Sequence, residues 1–353
     1  MGGGGPLVSV VVTVRDGEWY LAEAMRSAAR QTHRPLEVAV HDDGSCDGTR
    51  AALEALRPEL KAAGVALRVS AGAEPRGIGH GLNRAVASSR GAFLCRLDAD
   101  DVMAPERVAQ QLAAAAEDPE RLLVGAGFDR GGDPAATPRY TAWANSLSRE
   151  QLYLQQLREC TVIHPTWFFS RKVFDRVGGY DEGGPGTPED LIFFYRHLEL
   201  GGQLARCPER LLMWRFHGAS VTTARAVHWR TIWDLRMRRL ESLMRAPEPP
   251  VGGSAQLTIW NAGREGRRLF QSLPPDLQAR VRAFCDVDPK KLARQWNHFT
   301  PPAAVGRVPV VHFSTAVPPL LLCVKGGLTG GAFEANLASL ALVEGRDYLH
   351  FSF

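Results

Sequence analysis

Two acidic clusters carry the residues best suited to chemistry. HDDGSCDGT, with Asp42 and Asp43, follows one apolar, β-branched run, and RLDADD, with Asp98 and Asp100, follows another. Carboxylates gathered at strand ends can hold a divalent cation and, through it, a diphosphate. Such an ion takes one or two carboxylates and lets phosphate oxygens complete its shell. Asp98 and Asp100, alternating about a single residue, suit that task. One such cluster alone reads as a solvated turn; two at two strand ends point to a ligand-binding edge.

The elements that must present them follow from the hydrophobic pattern. Over the first two hundred residues, β-branched runs alternate with amphipathic stretches, the pattern of a mainly parallel sheet covered by helices. VSVVVTV, LEVAVHDD, VALRVS and AFLCRLD read as the first four strands. Asp16 is placed to cap the first helix, whose Leu21, Met25 and Ala28 share one face. IGHGLNRAVASSR and PERVAQQLAAAA read as further helices, the second opened by Pro105. In an open α/β sheet the carboxyl ends of the strands form the ligand edge, which puts both clusters on one side.

A second domain is expected beyond the Pro/Gly stretch APEPPVGGSA. The boundaries read as a catalytic domain over 1–245, a linker over 246–256 and an α/β Rossmann-like domain over 257–353. There, LTIW, NAGREGRRLF and AFCDVD imitate a dinucleotide-binding fingerprint, with Gly263, Gly266 and Asp286, but Asn261 stands at the first glycine position. Both a cofactor-free structural domain and an NAD-binding one fit that pattern.

The chain's 353 residues, 45% of them apolar, leave ample length for two cores. The formal charge of +4 is too small to dictate an anionic partner. Six scattered cysteines without paired spacing suit reduced thiols better than a disulfide or zinc framework. No apolar run approaches the roughly 18 residues of a membrane span, and the N-terminus lacks a signal peptide's basic lead, so a cytosolic location is expected.

The ordered series VSVVVTVRDGEWYLAEAMRSAARQT, EVAVHDDGSCDGT, RGIGHGLNRAVASSRGAFLCRLDADD, HPTWFFSRKVFDRVGGYDE, TPED and RFHGAS resembles the family 2 inverting glycosyltransferases, over about residues 7 to 222. That resemblance implies the A-type glycosyltransferase fold, a UDP-sugar donor and Mn2+ or Mg2+. It places Thr13, Val14, Arg15, Asp42 and Asp43 near the nucleobase and ribose, with Arg76 near the base or diphosphate. The family's usual aromatic residue and Asn are replaced here by Val14 and Arg15. Asp98 would contact the ribose or sugar, and Asp100 the metal, with His217 completing its site. Asn83 is either a ligand contact or a plain helix residue. Inversion needs a base within hydrogen-bond reach of the acceptor hydroxyl. The family's acidic pair falls on Glu189 and Asp190, Asp190 being the base, and His164 shapes the acceptor side.

The likeness extends to members of that family that galactosylate queuosine in tRNA. This implies UDP-galactose as donor and the cyclopentene-diol of queuosine in a cytosolic tRNA anticodon as acceptor. Between Gln203 and Arg245 nine arginines face three acidic residues, an excess of six. With Trp229 and Trp233, and with Arg236, Arg238 and Arg239 on one helix, the stretch suits phosphate contact and base stacking, or is simply a solvated helix. Transfer of N-acetylglucosamine to a glycan or protein, or a non-catalytic nucleotide-sugar-binding scaffold, stays open beside it.

Overall fold

The computed structural model describes residues 5–132, 138–218, 227–246, 256–299 and 305–351. The chain divides into two compact units.

The first unit comprises 1–152 and 160–232 and is built on an eight-stranded mixed sheet. Its strands are β1 (Val8–Val14), β2 (Leu36–Asp42), β3 (Val65–Ala71), β4 (Phe93–Arg96), β5 (Val102–Met103), β6 (Leu122–Gly132), β7 (Phe168–Ser170) and β8 (Gln203–Phe216), in the order β3-β2-β1-β4-β7-β6-β8-β5. The first four are parallel neighbours, β7 runs antiparallel to β4 and β6, and β5 pairs antiparallel with β8. Strands buried on both faces read as continuous apolar runs, and Val8, Val10, Val12, Val38 and Val40 are all fully buried. The A-type glycosyltransferase fold expected from the sequence is the fold found.

Helices α1 (Leu21–Ala29), α2 (Thr49–Ala62), α3 (Ile78–Ser88), α4 (Arg107–Ala115), α5 (Pro138–Ser146), α6 (Arg149–Leu154), α7 (Arg171–Val177) and α8 (Glu189–Glu199) accompany the sheet. Leu21, Met25 and Ala28 bury on one face of α1 as their spacing requires. Asp16 does not cap that helix. It sits at φ 50°, and its carboxylate accepts the Cys46 amide at 2.8 Å, tying the loop after β1 to the loop after β2.

The second unit comprises 153–159 and 233–353. The division therefore falls inside α9 (Trp229–Arg245) rather than at the Pro/Gly stretch, of which 247–255 lie outside the described residues. The physical reason is apolar: Trp233, Met237, Leu240 and Met244 of α9 join the core of the second unit, beside Ile259, Phe270 and Phe284. Its strands β9 (Leu257–Trp260), β10 (Val281–Asp286), β11 (Trp296–His298), β12 (Arg307–His312), β13 (Leu320–Leu322) and β14 (Tyr348–His350) take the order β11-β12-β10-β9-β13-β14. All neighbours are parallel except β11 with β12. The parallel part has the 3-2-1-4-5 order of a Rossmann-like sheet.

Candidate active site

The carboxyl ends of β1, β2 and β4 lie side by side in the first unit, which brings the two acidic clusters to one edge. After β2, both carboxylates turn inward. Asp42 accepts Ser45 N at 2.9 Å and pairs with Arg50 at 2.5 Å. Asp43 accepts the Arg76 amide on both oxygens, at 2.9 and 3.0 Å, and the Gly77 amide at 2.8 Å. Asp43 thus fixes the 74–77 loop and with it Arg76, whose exposed side chain lies 3.9 Å from Glu182.

Helix α3 closes tightly on this edge, and two glycines permit it. A Cβ at Gly81 would collide with Thr13 Oγ1, and one at Gly79 with Asp181 O. Thr13 remains half-buried beside α3, and Arg15 is exposed. The Val14 side chain is buried in the apolar core, and its carbonyl accepts Asp43 N at 2.8 Å. Asn83 braces the segment that carries Tyr180 and Glu182. Its amide donates to Tyr180 O at 2.9 Å and Glu182 Oε1 at 2.8 Å, and its oxygen accepts Tyr180 N at 2.9 Å, leaving little capacity for a ligand.

After β4, Asp98 is bonded by the buried Arg96 guanidinium. Asp100 meets His217 Nε2 at 2.9 Å, and the Tyr20 ring backs His217 with centroids 4.6 Å apart. Burial, and next the charge of Asp98, push the Asp100 carboxyl above its ordinary range. The fully buried Asp101 is pushed well up by burial and by both neighbours. Arg215, one of the nine arginines between Gln203 and Arg245, lies at this site. Its Nε donates to Asp100 O at 2.8 Å, its amide to Asp101 Oδ1 at 2.8 Å, and its fork pairs with Glu23 at 2.5 Å. Two-residue alternation along β8 puts it on the same face as His217, which is the signal that could have found it.

Among the described residues no group of three or more His, Cys, Asp or Glu side chains stands ready to hold a metal ion. Asp100 and His217 nevertheless fit one: they are an oxygen and an imidazole donor in contact at 2.9 Å, with a second carboxylate, Asp98, close by. A two-ligand arm of this kind suits an ion whose shell substrate phosphates complete.

The acidic pair opens α8 behind Pro188. Glu189 is buried and packs on Gly79, whereas Asp190 is half-buried, its Oδ1 accepting Leu191 N at 2.7 Å. Burial and the neighbouring Asp190 push Glu189 up to about 8, so at neutral pH it is an acid rather than a base. His164 is buried 3.2 Å from the Tyr180 hydroxyl and edge-on to Trp167. Burial and the nearby Arg96 charge hold it well below the ordinary imidazole range, hence neutral.

The three arginines assigned to the acceptor side are not one surface. Arg236 is buried 3.4 Å from Glu159, and Arg239 is buried with its Nε donating to Gln156 at 2.6 Å; Arg238 alone is exposed. Upstream, Arg206 donates to Ala144 O and Leu147 O, and Arg210 pairs with Asp129 at 2.6 Å. Arg225 lies outside the described residues. Much of the arginine excess is therefore spent on internal bonds.

In the second unit the fingerprint is filled by its own side chains. Asn261 accepts Gly263 N at 2.8 Å and donates to Cys323 O at 2.9 Å. Asp286, where a ribose hydroxyl would bind, takes Ala262 N at 2.9 Å, Val287 N at 2.9 Å and Lys291 Nζ at 2.8 Å. A Cβ at Gly266 would collide with Asn261 O, so close helix–strand packing explains that glycine without a cofactor. These residues do not fit a dinucleotide.

The fold and the strand-end site define an A-type glycosyltransferase scaffold in the first unit. Residues 9–178 match the family model described as Glycosyl transferase family 2. It is 25% identical over 197 residues to an uncharacterized glycosyltransferase of Rickettsia felis, covering 54% of this chain and 31% of that protein. It is 26% identical over 201 residues to one of Rickettsia prowazekii, covering 54% and 59%. The chain thus spans less than two thirds of the length of these relatives. Among solved structures, residues 1–349 of S. aureus TarS in complex with UDP-GlcNAc superpose with a TM-score of 0.53 at 18% identity, over 77% of this chain and 72% of that one, a likeness of fold. No helix among the described residues is long and apolar enough to cross a membrane.

Proposed function

We propose that the first unit transfers a sugar from a UDP-sugar to an acceptor hydroxyl with inversion, the sugar being galactose and the acceptor queuosine in a cytosolic tRNA anticodon. The observation that carries the transfer reading is the pairing of Asp100 with His217 at 2.9 Å, on the same unit as the half-buried Asp190 at the start of α8. The galactose and queuosine assignments rest on the resemblance of the ordered motif series.

Thr13, Arg15, Asp43 and Arg76 face the nucleoside end, Asp43 by fixing the loop that carries Arg76. Asp98, held by Arg96, meets the ribose or sugar. Asp100 and His217 would hold a divalent cation, Mn2+ or Mg2+, which when bound would supply positive charge toward the departing diphosphate. Asp190 takes the acceptor proton as the acceptor oxygen bonds the anomeric carbon and the bond from that carbon to the diphosphate oxygen breaks on the opposite face. Glu189, neutral beside it, keeps a second negative charge off that face.

A second reading, transfer of N-acetylglucosamine to a glycan or protein, draws support from the UDP-GlcNAc bound to the TarS structure. The test is incubation of the full chain with labelled UDP-galactose, UDP-N-acetylglucosamine and UDP-glucose against RNA, protein and glycan fractions. Label passing from UDP-galactose to queuosine-containing tRNA is expected. Label on glycan or protein alone transfers the reading to the alternative, and donor binding without transfer leaves a scaffold.

A further inference from the structure

β6 runs parallel to β8 and antiparallel to β7, which is itself antiparallel to β4, so β4, β6 and β8 end at one edge of the sheet. Arg130 stands two residues from the end of β6, level with Trp214 of β8. Arg215 and His217, which follow Trp214, are the residues that reach Asp100. Arg130 therefore lies on the edge that carries the proposed transfer site.

Aromatic rings frame its guanidinium. The Trp214 ring centroid lies 3.7 Å from the guanidinium carbon, and those of Tyr140, Phe216 and Phe128 lie at 5.4, 5.6 and 5.9 Å. Attraction to the ring faces holds the cation in place. Close backbone packing fixes the frame in turn. A Cβ at Gly131 would collide with Met213 Sδ, and one at Gly132 with Phe216 O, so these two glycines keep β6 and β8 tightly paired up to the edge. Asn145 donates to Phe128 O at 2.8 Å and accepts Phe128 N at 3.1 Å, which anchors α5, the helix that carries Tyr140.

Rings hold a cation without satisfying its N–H donors. Among the described residues no carboxylate pairs with Arg130, and its buried Nε has no hydrogen-bond partner. The adjacent Asp129 is taken by Arg210 at 2.6 Å. Asp101, whose charge reaches Arg130, is itself buried and bonded by the Arg215 amide. Arg206, Arg210 and Arg215 of β8 all have internal partners, so Arg130 differs from its neighbours. A half-buried guanidinium without a counter-charge is costly to keep. A planar fork held in place with its donors unused matches the oxygens of a phosphate.

We propose that Arg130, in its frame of Trp214, Phe216 and Tyr140, is an anion subsite that takes a backbone phosphate of the acceptor RNA beside the transfer site. The choice of RNA phosphate rests on the tRNA reading above, whose acceptor presents a phosphate chain.

The test compares the full chain as wild type, Arg130→Met and Arg130→Lys. Binding of queuosine-containing tRNA is measured at several salt concentrations, beside UDP affinity, melting temperature and sugar transfer. Arg130→Met is expected to weaken tRNA binding about tenfold and to lower the slope of log binding constant against log salt by about one, with UDP affinity unchanged. Its melting temperature without RNA should hold or rise, because the cation removed is uncompensated in the free chain; a packing role alone would lower it. Arg130→Lys keeps the charge without the fork and should restore the slope but only part of the affinity. Phosphates of the anticodon stem-loop are then replaced one at a time by neutral methylphosphonates. One linkage should weaken wild-type binding about tenfold and leave Arg130→Met unaffected.

Unchanged tRNA affinity and slope in Arg130→Met overturn the subsite, and so does a loss that comes with a fall in melting temperature. A stem-loop series in which no linkage depends on Arg130 overturns the phosphate assignment. Should Arg130→Met fail to fold, Arg130→Lys decides, and full wild-type affinity there sinks the idea. Sugar transfer to tRNA with binding independent of Arg130 defeats the subsite alone. Binding that depends on Arg130, to an RNA that receives no sugar, keeps the subsite and defeats the tRNA-acceptor reading. A wild type that binds no RNA defeats both.

Discussion

Asp100 and His217 touch at 2.9 Å across 117 residues of chain, joining the end of β4 to the end of β8. Arg215 locks the same junction through Asp100 O and Asp101. A strand-end carboxylate and an imidazole from opposite ends of the domain are brought together by topology alone, and the contact has a direct consequence for metal dependence.

Asp100→Ala should abolish transfer, because an uncompensated diphosphate is a poor leaving group. His217→Ala should be milder, about tenfold to 100-fold in the metal concentration for half-maximal rate, in line with loss of one donor of an incomplete protein shell. Steady-state rates against Mn2+ and Mg2+ check both. Full activity in excess chelator would remove the metal from the mechanism.

The acidic pair separates by burial. Asp190→Asn should leave UDP affinity within a few fold and cut transfer by on the order of 100-fold or more, as a base acts only while the acceptor proton leaves. Glu189→Gln should cost far less rate, because the native side chain is already neutral at pH 7, with its pKa pushed up to about 8 by burial and Asp190. Near-normal turnover of folded Asp190→Asn with a collapse in Glu189→Gln would reverse the assignment.

Glu189 also implies a stability profile. Its folded pKa lies above the unfolded value, so between roughly pH 4.5 and 8 the folded state binds a proton that the unfolded chain has released. Stability contributed through this group therefore falls as pH rises across that window and is level above it. Glu189→Gln removes the penalty. Its melting temperature relative to wild type should climb from pH 5 to pH 8 by a few degrees, read by calorimetry; a difference independent of pH would show that Glu189 ionises normally.

Gly81→Ala should weaken UDP binding about tenfold and destabilise the chain by about 1–3 kcal/mol, the usual cost of overpacking. The added methyl would drive α3 off Thr13, which the proposed function sets at the nucleoside. Binding calorimetry and thermal melts measure the two effects. Unchanged affinity would place the nucleobase away from Thr13.

Much of this was legible from residues alone because the signals were local. The β-branched runs became β1 to β4, and the glycines of α3 and the carboxylates at strand ends had fixed spacings to read. What sequence could not supply was partner choice. Asn83 and Val14 sit at motif positions but spend their polar groups or their burial inside the fold. Arg215 read as part of an arginine excess, yet its partners lie on the DADD turn. The domain limit was misplaced because a Pro/Gly stretch is a strong local sign, whereas the apolar stripe of α9 could have covered either core. Only packing shows that Trp233, Met237, Leu240 and Met244 cover the second.

The same burial redirects the test of the acceptor. Arg236 and Arg239 are buried with Glu159 and Gln156, so reversing their charge strands an unpaired charge inside the second unit. Arg236→Glu and Arg239→Glu should therefore lower the melting temperature sharply, and any loss of RNA binding with them would be unfolding. Arg230 and Arg238, both exposed on α9, are the residues that can reach a phosphate. If tRNA is the acceptor and lies along this helix, Arg230→Glu with Arg238→Glu should leave folding and UDP affinity intact and raise the apparent KM for tRNA. The slope of log binding constant against log salt should fall by up to about two, since each phosphate contact releases close to one counterion. A glycan acceptor has no phosphate chain and would show no such slope. Titration of wild type and the double variant with queuosine-containing tRNA at several salt concentrations measures it. Superimposable curves would take α9 out of acceptor recognition, and label on tRNA under those conditions would then send the search to the edge beside Asp190.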